Sequence, residues 1–108
     1  MDLQLQGKHV CITGGSKGIG LACARGFLQE GARVSLVSRQ ITHLQKAQQA
    51  LQAEFPESQV FVFAADLTQA ADAAHALEHA CVAAGEIDVL VNSAGAAKRT
   101  PLDELTPQ

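Results

Sequence analysis

Tyrosine and tryptophan are absent from this chain, and only 4 phenylalanines stand among its 108 residues, so chemistry that requires a phenol is excluded for these residues acting alone. Positive charge is also in short supply. Lys and Arg number 8 against 11 Asp and Glu, for a net charge of −3, and the basic residues are scattered from Lys8 to Arg99 without the stripe that follows a phosphate backbone or an anionic lipid surface. Nucleic acid and membrane partners are therefore not expected. No apolar run approaches the roughly 20 residues that span a bilayer, and Met1 to Gln6 has neither the basic nor the apolar region of a signal peptide. Cysteine is sparse and odd in number. Cys11, Cys23 and Cys81 lie far apart in apolar surroundings, the pattern of small buried hydrophobes rather than of a disulfide framework. The expectation is an untargeted protein in a reducing, cytoplasmic setting.

What is present is 47% hydrophobic residues, enough for one modest core, and at this length a single domain over residues 1–108 is expected. Short β-branched runs alternate with longer alanine- or glutamine-rich amphipathic stretches, the pattern of βαβ units around a parallel sheet. The runs are His9 to Thr13, Arg33 to Val37, Val60 to Phe63 and Val89 to Val91. Their near-continuous apolarity predicts strands buried on both faces. Ile19 to Glu30 predicts a helix stopped by Gly31, a residue suited to the left-handed conformation past a helix end. Leu44, Ala47, Leu51 and Phe55 recur at helical spacing before Pro56, with glutamines on the other face. In the third helix Thr68 is expected to cap, Ala70, Ala74, Leu77, Cys81 and Ala84 to form the buried stripe, and Gly85 to end it. The polar segment from Thr100 to Leu105 reads as a loop entering a further helix.

Four of the 9 glycines fall in Thr13-Gly14-Gly15-Ser16-Lys17-Gly18-Ile19-Gly20, after a strand and before a helix, the context in which a dinucleotide fingerprint carries weight. Gly14 permits the tight turn, Gly18 lets backbone approach a pyrophosphate, and Gly20 lets the helix pack on the sheet. Amide N–H groups at the helix start, with roughly half a positive charge from the macrodipole, then face the diphosphate. A P-loop is excluded, because no Gly-Lys-Ser/Thr follows at the required spacing. Ribose selectivity in such folds is set after the second strand, where an acid binds the 2′-hydroxyl of NAD or an arginine accommodates the 2′-phosphate of NADP. Here the strand ends in Ser38-Arg39. A hydroxyl donor and a planar guanidinium fork suit a phosphate, so NADP(H) is expected in preference to NAD(H).

The glycine spacing is G-x-x-x-G-x-G, which resembles the standard branch of the short-chain dehydrogenase/reductase family. The resemblance runs in order over residues 7 to 105. Asp66-Leu67 looks like the family's acidic residue that contacts adenine. Asn92-Ser93-Ala94-Gly95 is similar to its Asn-Asn-Ala-Gly motif, whose first Asn ties the central strands together and whose backbone lies along the cofactor ribose; Ser93 departs from the second Asn and puts one local hydrogen bond in question. Lys17 matches a position where NADP-preferring members often carry a second basic residue. The resemblance implies cofactor contacts at Gly14, Ser16, Lys17, Gly18, Ile19, Gly20, Ser38, Arg39, Asp66, Leu67, Asn92, Ala94 and Gly95, in a Rossmann-type, doubly wound, partial parallel sheet of order 3-2-1-4.

The family's catalytic serine, its Tyr-x-x-x-Lys pair and the asparagine of the helix beginning near Leu105 have no counterparts among these residues, and no catalytic residue is assigned. The expected reading is the cofactor-binding portion of an NADP(H)-dependent oxidoreductase, truncated before its catalytic half and inactive as 108 residues. The parent reaction would be hydride transfer between nicotinamide and a carbonyl or secondary alcohol. An alternative is a non-catalytic nucleotide-binding module, or a subunit completed by a partner chain. The unbroken apolarity of Val89 to Val91 at an open sheet edge predicts a homo-oligomer or completion by the missing chain. Asp72, His75 and His79 share one helical face, expected to be solvated, and no metal site is expected there. His9 and His43 are assigned no role, and Cys23 is expected at a helix–sheet contact.

Overall fold

The computed structural model describes residues 5–14 and 18–93. The expected loop and helix after Thr100 lie outside them. The elements are β1 (His9–Thr13), α1 (Gly18–Gln29), β2 (Arg33–Ser38), α2 (Ile41–Glu54), β3 (Val60–Ala64), α3 (Ala70–Ala84) and β4 (Val89–Asn92). The four strands are parallel in the order β3-β2-β1-β4. The chain therefore steps outward from β1 to β2 to β3, then crosses back to the far side of β1. Because parallel crossovers are right-handed, reversing the direction of travel moves the connecting helix to the other face of the sheet.

Side-chain alternation along the strands divides the core accordingly. Val10, Ile12, Val34, Leu36 and Val60 pack with Ala24 and Leu28 of α1 and Leu44, Ala47 and Leu51 of α2. Cys11, Val37 and Ala65 pack with Ala76 of α3 on the opposite side. Leu44 and Leu51 are fully buried, and truncating either to Ala costs about 2–5 kcal/mol. Arg25 of α1 pairs with Glu54 of α2 at 2.8 Å, an exposed link that adds little. Gly31 and Gly85, at φ 86° and 88°, end α1 and α3 in the left-handed region, as their positions predict.

The structure corrects four expectations. The strands are not all buried on both faces: β1 and β2 are, whereas Phe61, Val62 and Phe63 are half-buried and β4 alternates, leaving Leu90 56% exposed. Leu90 is the register partner of Cys11, so it lies on the α3 face, where no helix of the described residues covers β4. The buried stripe of α3 is Ala76, Ala80 and Ala84, with Ala70, Ala74 and Cys81 exposed. Small side chains let that alanine row sit close to the sheet, and alanines on nearly every side of the helix left the face undetermined by pattern. Cys81 is accordingly not a buried hydrophobe, although Cys11 is buried and Cys23 half-buried. Thr68 does not cap α3. Gln69 is the N-cap residue, without a side-chain cap bond, and Thr68 bonds back to Asp66 instead.

The N-terminal end of the sheet is closed by hydrogen bonds. His9 is fully buried, with Nδ1 2.9 Å from the Gly85 carbonyl and Nε2 2.6 Å from Ser35 Oγ. A carbonyl only accepts, so Nδ1 carries the proton and Nε2 accepts from the Ser35 hydroxyl. Arg33 donates to the carbonyls of Ala84 and Gly7, satisfying an end carbonyl of α3. This end is occupied by structural bonds, and the opposite, C-terminal edge carries the sequence motifs.

Candidate functional site

The register aligns the ends of the strands: Thr13 lies beside Val37 and Asn92, and Ser38 beside Ala64. Each ladder runs one residue further, through Gly14 N–H to the Val37 carbonyl, Ser93 N–H to the Thr13 carbonyl and Ala65 N–H to the Ser38 carbonyl. Gly14, Arg39, Asp66 and Ser93 are thereby delivered to one edge of the sheet. Between β1 and β4 the strand order reverses, the position at which open α/β sheets bind ligands.

Gly14 turns the chain out of β1 at φ 76°, and Gly18 enters α1 at φ 53°, conformations that cost a residue with a Cβ about 1–2 kcal/mol. A Cβ at Gly18 would meet no atom within 4 Å. No acidic residue stands in the first turn of α1, so no carboxylate of that turn competes with an external anion for the positive end of the helix. Gly20 is buried, consistent with close helix–sheet packing, and Ile19 lies between these two glycines in the first turn. Gly15, Ser16 and Lys17 lie outside the described residues.

Half-buried Ser38 and exposed Arg39 follow at the end of β2. Asp66 stands beside them at the end of β3. Its Oδ1 accepts from the Thr68 hydroxyl at 2.6 Å and from the Thr68 amide at 3.0 Å. These bonds, with the nearby Arg39 guanidinium as a smaller contribution, hold the Asp66 carboxyl below its ordinary value. Leu67 turns its side chain into the core under α3. At β4, Asn92 Oδ1 accepts from Thr13 Oγ1 at 3.0 Å, tying the central strands as the resemblance implies. Ser93 resolves the question raised by its departure from asparagine: Oγ lies 2.8 Å from the Thr13 carbonyl and 3.1 Å from that of Gly14, fastening β4 to the glycine turn. Ala94 and Gly95 lie outside the described residues. Sequence reasoning missed this bond of Ser93, the one from Asp66 N–H to Asp72 Oδ2 and those from Thr68 to Asp66; only the last had a local signal, the short Asp66-x-Thr68 spacing typical of side chains that fold back on a turn.

A family model described as short chain dehydrogenase matches residues 8–108. The chain belongs to the short-chain dehydrogenase family. Gluconate 5-dehydrogenase from Gluconobacter oxydans (strain 621H) is 37% identical over 103 residues, 94% of this chain and 39% of that protein. The solved structure of L-sorbose reductase from Gluconobacter frateurii, complexed with NADPH and L-sorbose, superposes with a TM-score of 0.78 at 38% identity, covering 83% of this chain and 34% of that one. An NADPH-bound short chain oxidoreductase from Pseudomonas aeruginosa PAO1 gives 0.75 at 31% identity, covering 77% and 32%. The chain thus spans about two-fifths of the gluconate dehydrogenase and about a third of each solved relative. Among the described residues no helix is long and apolar enough to cross a membrane. Asp72, His75 and His79 are all exposed.

Proposed function

We propose that these residues form the coenzyme-binding part of an NADP(H)-dependent short-chain dehydrogenase acting on a small carbonyl compound or secondary alcohol. The observation that carries this reading is the placement of Arg39, rather than an acid, directly after β2 at the edge that also holds the glycine turn. The coenzyme would be held by Gly14, Ser16, Lys17, Gly18, Ile19 and Gly20 at its diphosphate, and by Ser38, Arg39 and Lys17 at its 2′-phosphate. Asp66 and Leu67 would meet the adenine, and Asn92, Ala94 and Gly95 the ribose nearer the nicotinamide. The open space at Gly18 and a first turn of α1 without an acidic residue suit a diphosphate. When bound, the coenzyme supplies or accepts a hydride at nicotinamide C4.

The chain's own residues orient that group and neutralise its phosphates, and they supply no phenolic general acid, since tyrosine is absent. As 108 residues the chain binds coenzyme and reduces nothing. One domain over residues 1–108, a cytoplasmic setting, and pairing of the open β4 edge with further chain or a second copy belong to the same proposal.

The test is calorimetric titration of NADP+ and NAD+ into the wild type and Arg39→Ala. Losing a charge-assisted contact of about 1.5–3 kcal/mol lowers the preference for NADP+ by about one to two decades. An unchanged preference would remove Arg39 from the 2′-phosphate.

A further inference from the structure

Asp72 stands in the first turn of α3, where a carboxylate ordinarily serves the amides of its own helix. Here it reaches back past the helix start. Its Oδ2 accepts the Asp66 N–H at 2.8 Å, although Gln69, the N-cap residue, has no side-chain cap bond of its own. The loop from Asp66 to Gln69 is tied at several further points. The Asp66 carbonyl accepts the Gln69 N–H at 3.0 Å, Oδ1 is taken by Thr68, and Leu67 is anchored in the core beside Leu77 and Phe63. With Oδ1 committed, Oδ2 of Asp66 is the oxygen left for a ligand's donor. Asp72 supplies the one restraint on the Asp66 amide, and so on the entry of this loop from β3.

We infer that Asp72 is a positioning residue for the adenosine end of the coenzyme site, acting through the Asp66 amide to fix the direction of the Asp66 carboxylate and the Leu67 backbone. This rests on the proposed placement of adenine at Asp66 and Leu67. The carboxylates of Asp66 on the loop and Asp72 in the first turn of α3 repel each other, a cost offset in part by the positive end of α3. What Asp72 contributes to the loop is therefore an acceptor oxygen rather than its charge. Preordering of the loop reduces the freedom lost when a ligand binds, and that is where the affinity originates.

The experiment uses the full chain as wild type, Asp72→Ala and Asp72→Asn, titrated calorimetrically with adenosine 2′,5′-bisphosphate, alongside hydrogen exchange of the Asp66 amide without ligand. Asn keeps an acceptor for the amide and removes the charge. The expected result is a roughly 5- to 10-fold weaker Kd for Asp72→Ala, a Kd within about twofold of wild type for Asp72→Asn, and fast Asp66 exchange in the alanine variant only. Equal binding by all three forms, or equal weakening in both variants, would overturn the role of Asp72 while leaving adenine at Asp66. A wild type that does not bind the bisphosphate would overturn the placement of adenine itself, and Asp72's role with it, whatever the exchange data show.

Discussion

Gly18→Ala separates what the glycine turn does for the fold from what it does for a ligand. At φ 53° an added Cβ incurs about 1–2 kcal/mol of backbone strain, while the loss of glycine's freedom in the unfolded chain returns about 0.4–1 kcal/mol. The built Cβ meets no protein atom within 4 Å, so no packing clash adds to this. The net destabilisation is then about 0–1.6 kcal/mol, a fall in Tm of at most about 6–13 °C for a domain of this size. The same methyl would project into the space assigned to the diphosphate. Binding of NADP+ should weaken at least tenfold, which is about 1.4 kcal/mol or more. Gly26, further along α1 and also with nothing within 4 Å of a built Cβ, provides the control: Gly26→Ala should stabilise by roughly 0.5–1 kcal/mol through helix propensity and leave binding unchanged. Thermal unfolding and calorimetric titration of both variants provide the comparison. Wild-type affinity in Gly18→Ala would refute the assignment of that space to coenzyme.

Replacing His9 with Leu leaves the buried Ser35 hydroxyl without its partner and should cost about 1–3 kcal/mol. Adding Ser35→Ala should recover about 1 kcal/mol of the summed losses in a chemical-denaturation cycle, and strict additivity would show that the pair is not coupled. Burial, with Cys81 nearby as the smaller cause, pushes the Cys11 thiol from 9.0 up to about 11. The folded state thus favours the protonated thiol, and its stability is retained below pH 9 and declines as pH rises towards 11. At neutral pH iodoacetamide should label exposed Cys81 well before Cys11, as followed by peptide mass mapping; equal labelling would contradict the burial.

Legibility in the sequence varied with how unevenly each element's residues are distributed. In α2, glutamines fill one face and Leu44, Ala47 and Leu51 the other, so the buried side was plain from spacing. In α3, alanine recurs at 70, 71, 73, 74, 76, 80, 83 and 84, and only packing against the sheet selects Ala76, Ala80 and Ala84. The same holds for the strands, where apolarity identifies β4 but not its place at the edge of the described sheet. Gly14, Gly18, Arg39, Asp66 and Asn92 were legible because each stands at a fixed offset from a strand end. The bonds from Ser93 to the glycine turn and from His9 to Ser35 join residues far apart in sequence, and no local pattern encodes them.

The central claim is that coenzyme lies along the C-terminal edge of the sheet, and amide chemical-shift mapping on addition of NADP+ to the isotope-labelled chain tests it directly. The predicted shifts concentrate at Gly14 to Gly20, Ser38, Arg39, Asp66, Leu67 and Asn92 to Gly95. His9, Arg33 and Gly85, at the opposite end, should remain still. Shifts centred on those three residues, or none anywhere at millimolar NADP+, would contradict the account.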